Sequence, residues 1–255
     1  MTSQPVVDAT ILDLEQWRNY LSEQNTDFLF VTVSGAHIYG FPSKDSDVDL
    51  RGSHVLPLNQ VVGLKMPNET LTHDKIVNGL EVDVVSHEVG KYLRLLVKNN
   101  GYILEQIFSP IVVMGQEFLE RIRPLAQRCV TRNHYYHYRG FFANQRKMIE
   151  KDSSVSIKSV LYAYRVLATG IHLMNTGEIK TDLNELAVEL EIPDIPTLIA
   201  AKVAEKSEFK FDVEVHMQRL CRLEEELQTA FEKSRLPEHP EREAVNDLLV
   251  QIRLG

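Results

Sequence analysis

The chain has 255 residues, 44% hydrophobic and 25% charged, and carries a net charge of −8 at pH 7. That is the composition of a globular protein long enough for a real core, in one large or two modest domains, and its acidity excludes a general nucleic-acid coat. No run of about 20 apolar residues occurs, and the opening MTSQPVVDATILDLEQW is acidic where a secretory leader is basic and then apolar; a cytoplasmic protein with no membrane segment is expected. Cys129 and Cys221 lie far apart without metal-type spacing, which suits thiols in a reducing compartment.

In chain order, the pattern predicts a helix over 9–24, a strand over 28–33 (FLFVTV), a turn at Ser34-Gly35 from which a short helix starts, and a strand over 48–55. Residues 70–85 read as a β-hairpin turning at Asn78-Gly79, 86–98 as a helix, and 102–108 as helix-forming. The pattern changes near 124–132. Beyond Pro124, helices are predicted near 134–151, 155–175, 183–190, 195–206, 211–233 and 241–252, with LPEHP (236–240) as a helix break. The fold class expected is α+β: a small mixed sheet with flanking helices over 1–124, then an all-helical domain over 125–255.

Chemistry concentrates in VSGAHIYGFPSKDSDVDL (33–50). On a strand, residues i and i+2 share a face, so Asp47 and Asp49 project together while Val48 and Leu50 face a core. Two carboxylates that close repel, and one is driven towards protonation unless a counter-charge stands between them. Mg²⁺ removes the conflict, being held by one or two carboxylates together with substrate phosphates. Asp83, inside the apolar LEVDVV run (80–85), is awkward unless it faces water or a cation. On a neighbouring strand it completes a place for two ions, the usual device for in-line displacement at phosphorus. Asp-x-Asp pairs are common on exposed turns, and Asp45-Ser46-Asp47 alone reads as a polar loop; the glycine turn upstream and the third Asp favour the metal site. Backbone N–H groups at Ser34-Gly35 suit phosphate oxygens, and glycine admits them closely.

These residues resemble the nucleotidyltransferase superfamily that includes DNA polymerase beta, poly(A) polymerases and CCA-adding enzymes. Its signature is a hydrophobic strand ending in Gly-Ser or a variant, an acidic-hydrophobic-acidic triplet about a dozen residues on, and a third acid on a later strand. Ser34-Gly35, Asp47-Val48-Asp49 and Asp83 supply these in order, although Ser34 precedes the glycine where many members carry the serine after it. The expanded motif 35–52 and the segment 102–108 look like the RNA-repair or RNA-ligase-associated polymerase beta branch. The resemblance implies Asp47, Asp49 and Asp83 as catalytic residues and metal ligands, two Mg²⁺ ions with Mn²⁺ as substitute, and Ser34 and Gly35 as nucleotide-binding. It implies transfer of NMP from an NTP, ATP or CTP, to an acceptor hydroxyl with release of pyrophosphate. An RNA 3′ end is the first choice of acceptor and a small-molecule or protein hydroxyl the alternative; an inactive nucleotide-binding scaffold is the third reading. The helical half, 125–255, is expected to close the cleft of the catalytic domain, 1–124.

Lys158, Tyr162 and Arg165 stand at i, i+4 and i+7 of one helix and share a face. Superfamily members often present a Lys with a Tyr or Arg from this half to the triphosphate, so the resemblance gives the three a nucleotide-binding role; otherwise Tyr162 packs in the core and the cations face water. Charge is uneven. Residues 1–120 hold 8 Lys/Arg against 16 Asp/Glu, residues 121–180 hold 11 against 3, and residues 181–255 hold 9 against 17. The basic segment, interleaved with Tyr135, Tyr136, Tyr138, Phe141 and Phe142, is an expected RNA-binding surface, set against solvated arginines and core aromatics. His134 and His137 lack a third ligand, so zinc is not expected, and His37 is placed to touch a phosphate or cap the short helix.

Overall fold

A computed structural model describes residues 12–44, 46–65, 67–77, 79–151, 155–204 and 209–255. The first part comprises α1 (Leu14–Ser22), β1 (Asp27–Val33), α2 (Ala36–Tyr39), β2 (Val48–Val55), α3 (Leu58–Val61), β3 (Thr70–Val77), β4 (Leu80–Glu88), α4 (Val89–Leu96), α5 (Gly101–Ile107) and β5 (Val112–Met114). Helices follow: α6 (Gln116–Arg128), α7 (His134–Lys151), α8 (Ile157–Thr176), α9 (Leu183–Glu189), α10 (Ile195–Val203), α11 (Val213–Lys233) and α12 (Arg242–Leu254). This is the α+β class expected, a mixed sheet followed by helices. The predicted turn residue Asn78, residues 9–11 of the first predicted helix and 205–206 of the predicted 195–206 helix lie outside the described residues.

The strands run in the order β3-β4-β2-β1-β5. β2 is parallel to β4 and the other pairings are antiparallel. Alternation sorts the two faces. Val31, Val33, Val48, Leu50, Val82 and Val84 point to one side, where Trp17, Tyr20 and Leu21 of α1 cover them. On the other side Phe30 packs with Tyr92, Leu93 and Leu96 of α4 and Ile103, Leu104 and Ile107 of α5, and this apolar cluster continues without a break into the helical half as far as Val245. The face carrying Asp49 and Asp83 is therefore the one against which the helices assemble.

Two expectations need correction. The segment 86–98 is not all helix, because β4 continues to Glu88: Ser86, His87 and Glu88 keep register with Gly52, Ser53 and His54 of β2. Glu88 then caps α4, its carboxylate accepting from the Gly90 N–H at 2.7 Å. The proposed boundary at 124 falls inside α6, which runs through Pro124. A mid-helix proline costs about 3 kcal/mol, and burial of Leu119, Ile122, Leu125 and Ala126 on both sides of it holds the helix together. Among the described residues no helix is long and apolar enough to cross a membrane.

Candidate active site

The parallel pairing of β2 with β4 sets Asp49 directly beside Asp83. Arg51, two residues beyond Asp49 and on the same face, joins them. One of its guanidinium nitrogens lies 2.6 Å from Asp49 Oδ1 and 2.6 Å from Asp83 Oδ2, and the other donates to the Asp83 carbonyl at 2.7 Å. Sequence reasoning missed Arg51, although the period of two that pairs Asp47 with Asp49 also places residue 51 on that face. Burial pushes the Asp49 carboxyl above the usual range; Arg51 opposes the shift, the charges of Asp83 and Asp47 add to it, and Lys158 opposes it. Asp47 and Asp83 thus both act on Asp49, but Asp47 stands exposed just ahead of β2.

The turn after β1 closes on the same carboxylate. The Ser34 N–H donates to the Asp49 carbonyl at 2.8 Å, so that backbone donor is already engaged. Gly35 has φ +66°, and a Cβ there would lie 1.9 Å from Asp49 Oδ2. Both the left-handed backbone and the close approach demand glycine. His37 is buried rather than turned to a phosphate: it sits under the backbone of Ser46 and Asp47, with its pKa lowered chiefly by burial. The helical half grips this region from the other side. Thr181 Oγ1 donates to the Ile38 carbonyl at 3.0 Å, Asn184 Nδ2 to the Gly40 carbonyl at 2.8 Å, and Lys202 Nζ to Ser43 Oγ at 2.9 Å and Ser46 Oγ at 3.1 Å. No sequence pattern announces the Lys202 contact, which spans more than 150 positions.

Of the three residues expected on one face of α8, two reach the site. Lys158 is exposed on the first turn. Tyr162 packs edge-on to Tyr39 and Phe41, with ring centroids 5.7 and 5.6 Å away, and its hydroxyl pKa is raised first by burial and then by Asp49. Arg165 is a correction. Its side chain is fully buried, 2.7 Å from the equally buried Glu105 Oε1, with its guanidinium carbon 4.0 Å from the centre of the Tyr39 ring. A shared face was not enough: seven residues at 1.5 Å rise carry Arg165 about 10 Å further along the axis, to where Glu105 of α5, Tyr39 of α2 and Phe141 of α7 meet it.

The model of the RNA repair pathway DNA polymerase beta family, RlaP, matches residues 11–251. The chain belongs to that family. The match therefore extends well beyond 34–49 and Asp83, over nearly the whole chain. The chain is 33% identical to the uncharacterized protein MJ0002 of Methanocaldococcus jannaschii over 158 residues, 61% of this chain and 64% of that one. It thus spans slightly less than two thirds of that relative's length. It is 27% identical to the uncharacterized protein YcgL of Bacillus subtilis over 184 residues, 68% and 69% of the two chains. A nucleotidyltransferase-like protein from Exiguobacterium sibiricum overlaps 88% of this chain and 74% of its own, at 12% identity and a TM-score of 0.29, too loosely to carry an inference about the site.

Within this RlaP chain the Asp49–Asp83 pair fits a divalent cation: the donors are hard oxygens, and burial with two like charges raises the Asp49 pKa, a strain that a cation would relieve. Among the described residues, however, no three His, Cys, Asp or Glu side chains gather as a metal-holding group, so Asp47 does not close on the pair as the triad reading expected. The basic segment is also less available than its sequence suggests. Arg132 pairs with Glu238, Arg139 and Arg146 with Glu224, Arg165 with Glu105, and Lys180 with Glu185 and Glu189. Arg123 donates to the carbonyls of Ile107 and Ser109. Tyr135, Tyr138 and Phe142 are buried. His134 and His137 are core residues whose pKa burial lowers to about 4.

Proposed function

We propose that the chain transfers a nucleoside monophosphate from an NTP, ATP or CTP, to an acceptor hydroxyl and releases pyrophosphate, the acceptor being an RNA 3′ end. The observation that carries this reading is the side-by-side placement of Asp49 and Asp83, with the Gly35 turn closed on Asp49 and Lys158 and Tyr162 approaching from α8. Asp49 and Asp83, with Asp47 at the mouth of the strand, would hold Mg²⁺, or Mn²⁺ in its place; bound there, the metal neutralises phosphate charge and makes the acceptor hydroxyl more acidic. Arg51 is the counter-charge that stands between the two carboxylates and keeps them in place before substrate arrives.

The acceptor oxygen bonds to the α-phosphorus as the bond from that phosphorus to the β-phosphate's bridging oxygen breaks, in line, and the electron pair leaves with pyrophosphate. Asp83 takes the hydroxyl proton. Lys158 binds the triphosphate, the Ser34 hydroxyl and the Gly35 turn line its approach, and the Tyr162 ring flanks the nucleotide. The family's RNA repair description supports RNA as acceptor. The internal pairing of the basic segment favours a second reading, in which the acceptor is a hydroxyl of a small molecule or protein. A silent scaffold gains nothing from placing two carboxylates side by side at such electrostatic cost.

Each labelled NTP, offered with Mg²⁺ or Mn²⁺ to total RNA and separately to a protein mixture, tests the proposal. Label on RNA with matching pyrophosphate release, lost in Asp83→Asn, is the expected result. Label on protein or on small molecules alone moves the conclusion to the second reading, and absence of pyrophosphate release with every acceptor overturns both.

A further inference from the structure

Two of the three aspartates are placed by the β2–β4 ladder; the third is not. Asp47 precedes the first residue of β2, so its position depends on the turn that leads into the strand. That turn is closed on itself: the Ser43 N–H donates to Ser46 Oγ at 2.8 Å, the Ser46 N–H to the Ser43 carbonyl at 3.0 Å, and the two hydroxyl oxygens lie 3.1 Å apart. Its one described anchor to the rest of the fold through an ammonium is Lys202, whose Nζ reaches both hydroxyls. The base of that lysine is rigid, because Ile195, Leu198, Ile199 and Ala201 sink α10 into the core. From beneath, buried His37 backs the carbonyl side of Ser46 and Asp47.

We infer that Lys202 is a positioning residue for Asp47: it clasps the Ser43–Ser46 turn to the helical half and so fixes where Asp47 stands at the start of β2, ahead of Asp49. This rests on the nucleotidyltransferase reading of the same site. A lysine that merely packs against a loop has no effect on cation affinity, whereas a clasp does, as residues that orient metal ligands typically change affinity by about 10-fold or more.

The test uses the full chain as wild type, Lys202→Met, Lys202→Arg and Asp49→Asn, with Mn²⁺ alone as probe, titrated by electron paramagnetic resonance, and amide exchange read at Ser43 and Ser46. In Lys202→Met, which loses the hydrogen bonds to both hydroxyls, the two amides should exchange about 10-fold faster, and Mn²⁺ should bind about 10-fold more weakly at unchanged Tm. Lys202→Arg, which can reach both hydroxyls, should retain the protection and most of the affinity. Unchanged exchange in Lys202→Met removes the clasp and overturns the inference; faster exchange with unaltered Mn²⁺ affinity overturns it as well. The Asp49→Asn arm separates the underlying reading. If that variant binds Mn²⁺ as tightly as wild type, the carboxylates are not the cation site, and the inference goes with the function proposed for them.

Discussion

Arg51 and Arg165 each meet a carboxylate at 2.6–2.7 Å, yet they belong to opposite kinds of site. The side chains of Arg165 and Glu105 are wholly enclosed, the Tyr39 hydroxyl donates to the second Glu105 oxygen at 3.1 Å, and one cation faces one anion. Arg51 is one cation facing two anions on a face that stays 19–36% exposed, with a third aspartate and a lysine within electrostatic reach. Charge is balanced in the first cluster and left over in the second. An interior built on the first is a scaffold; a surface built on the second has an unmet demand for a cation.

Removing Arg165 should give the largest effect on stability, because it leaves Glu105 buried and unpaired. The expected loss is about 3–5 kcal/mol, a fall in Tm of about 6–20 °C in a chain of this size, read by thermal unfolding of Arg165→Ala. A variant of normal stability that had lost NTP binding would return Arg165 to the nucleotide site and erase the contrast. On the open cluster the large effect belongs to activity: Asp49→Asn should lower the transfer rate by about 10²–10³-fold or more, measured as pyrophosphate release, while the variant remains folded. Retained turnover would make the two arginine sites equivalent.

Acidification sharpens the comparison from the enclosed side. Burial lowers the pKa of His134 and His137 to about 4, and of His87 near the end of β4 likewise. The unfolded chain protonates these rings below about 6.5 while the fold does not, so stability is kept above that pH and lost as pH falls from 6.5 towards 4. Each ring contributes a slope of about 1.4 kcal/mol per pH unit in that window. Replacing His137 by Gln should flatten the Tm-against-pH curve by one such increment; an unchanged slope would mean that the ring charges within the fold.

The smallest expected shift has the opposite sign. The folded-state pKa of Asp49 is raised, so the fold favours its neutral form, and this contribution is lost as pH rises through and beyond the carboxylate range. At neutral pH without divalent cations, Asp49→Asn should therefore melt higher than wild type, by about 2–4 °C if the relief reaches 1 kcal/mol. Mg²⁺ should raise the Tm of wild type and leave that of the variant unmoved. A lower Tm for the variant would show that Arg51 over-compensates the site and that no demand for a cation remains.

Local periodicity was legible where one element decided the outcome. Alternation placed Val48 and Leu50 in a core with Asp49 opposite, the glycine turn fell where Gly35 meets Asp49, and the change to helices after the sheet region is real. It was silent where two elements had to meet. Within the basic stretch 121–180, Arg132, Arg139, Arg146 and Lys180 meet Glu238, Glu224, Glu185 and Glu189 from the acidic segment. Arg165 shares its helix face with Tyr162, and only the packing of α2 and α5 against α8 makes one a ring stacked edge-on to Tyr39 and Phe41 and the other a core ion pair.

By itself the sequence determined the α+β class, the carboxylate strand and the glycine turn, because each follows from backbone periodicity and sterics within a few residues. The tertiary structure alone decided that Arg51 bridges Asp49 and Asp83, that Arg165 is buried with Glu105, and that Lys202 reaches the turn before Asp47. Electrostatic pairing depends on distances of a few ångströms between groups that lie up to 159 positions apart in the chain, and no local pattern encodes such distances.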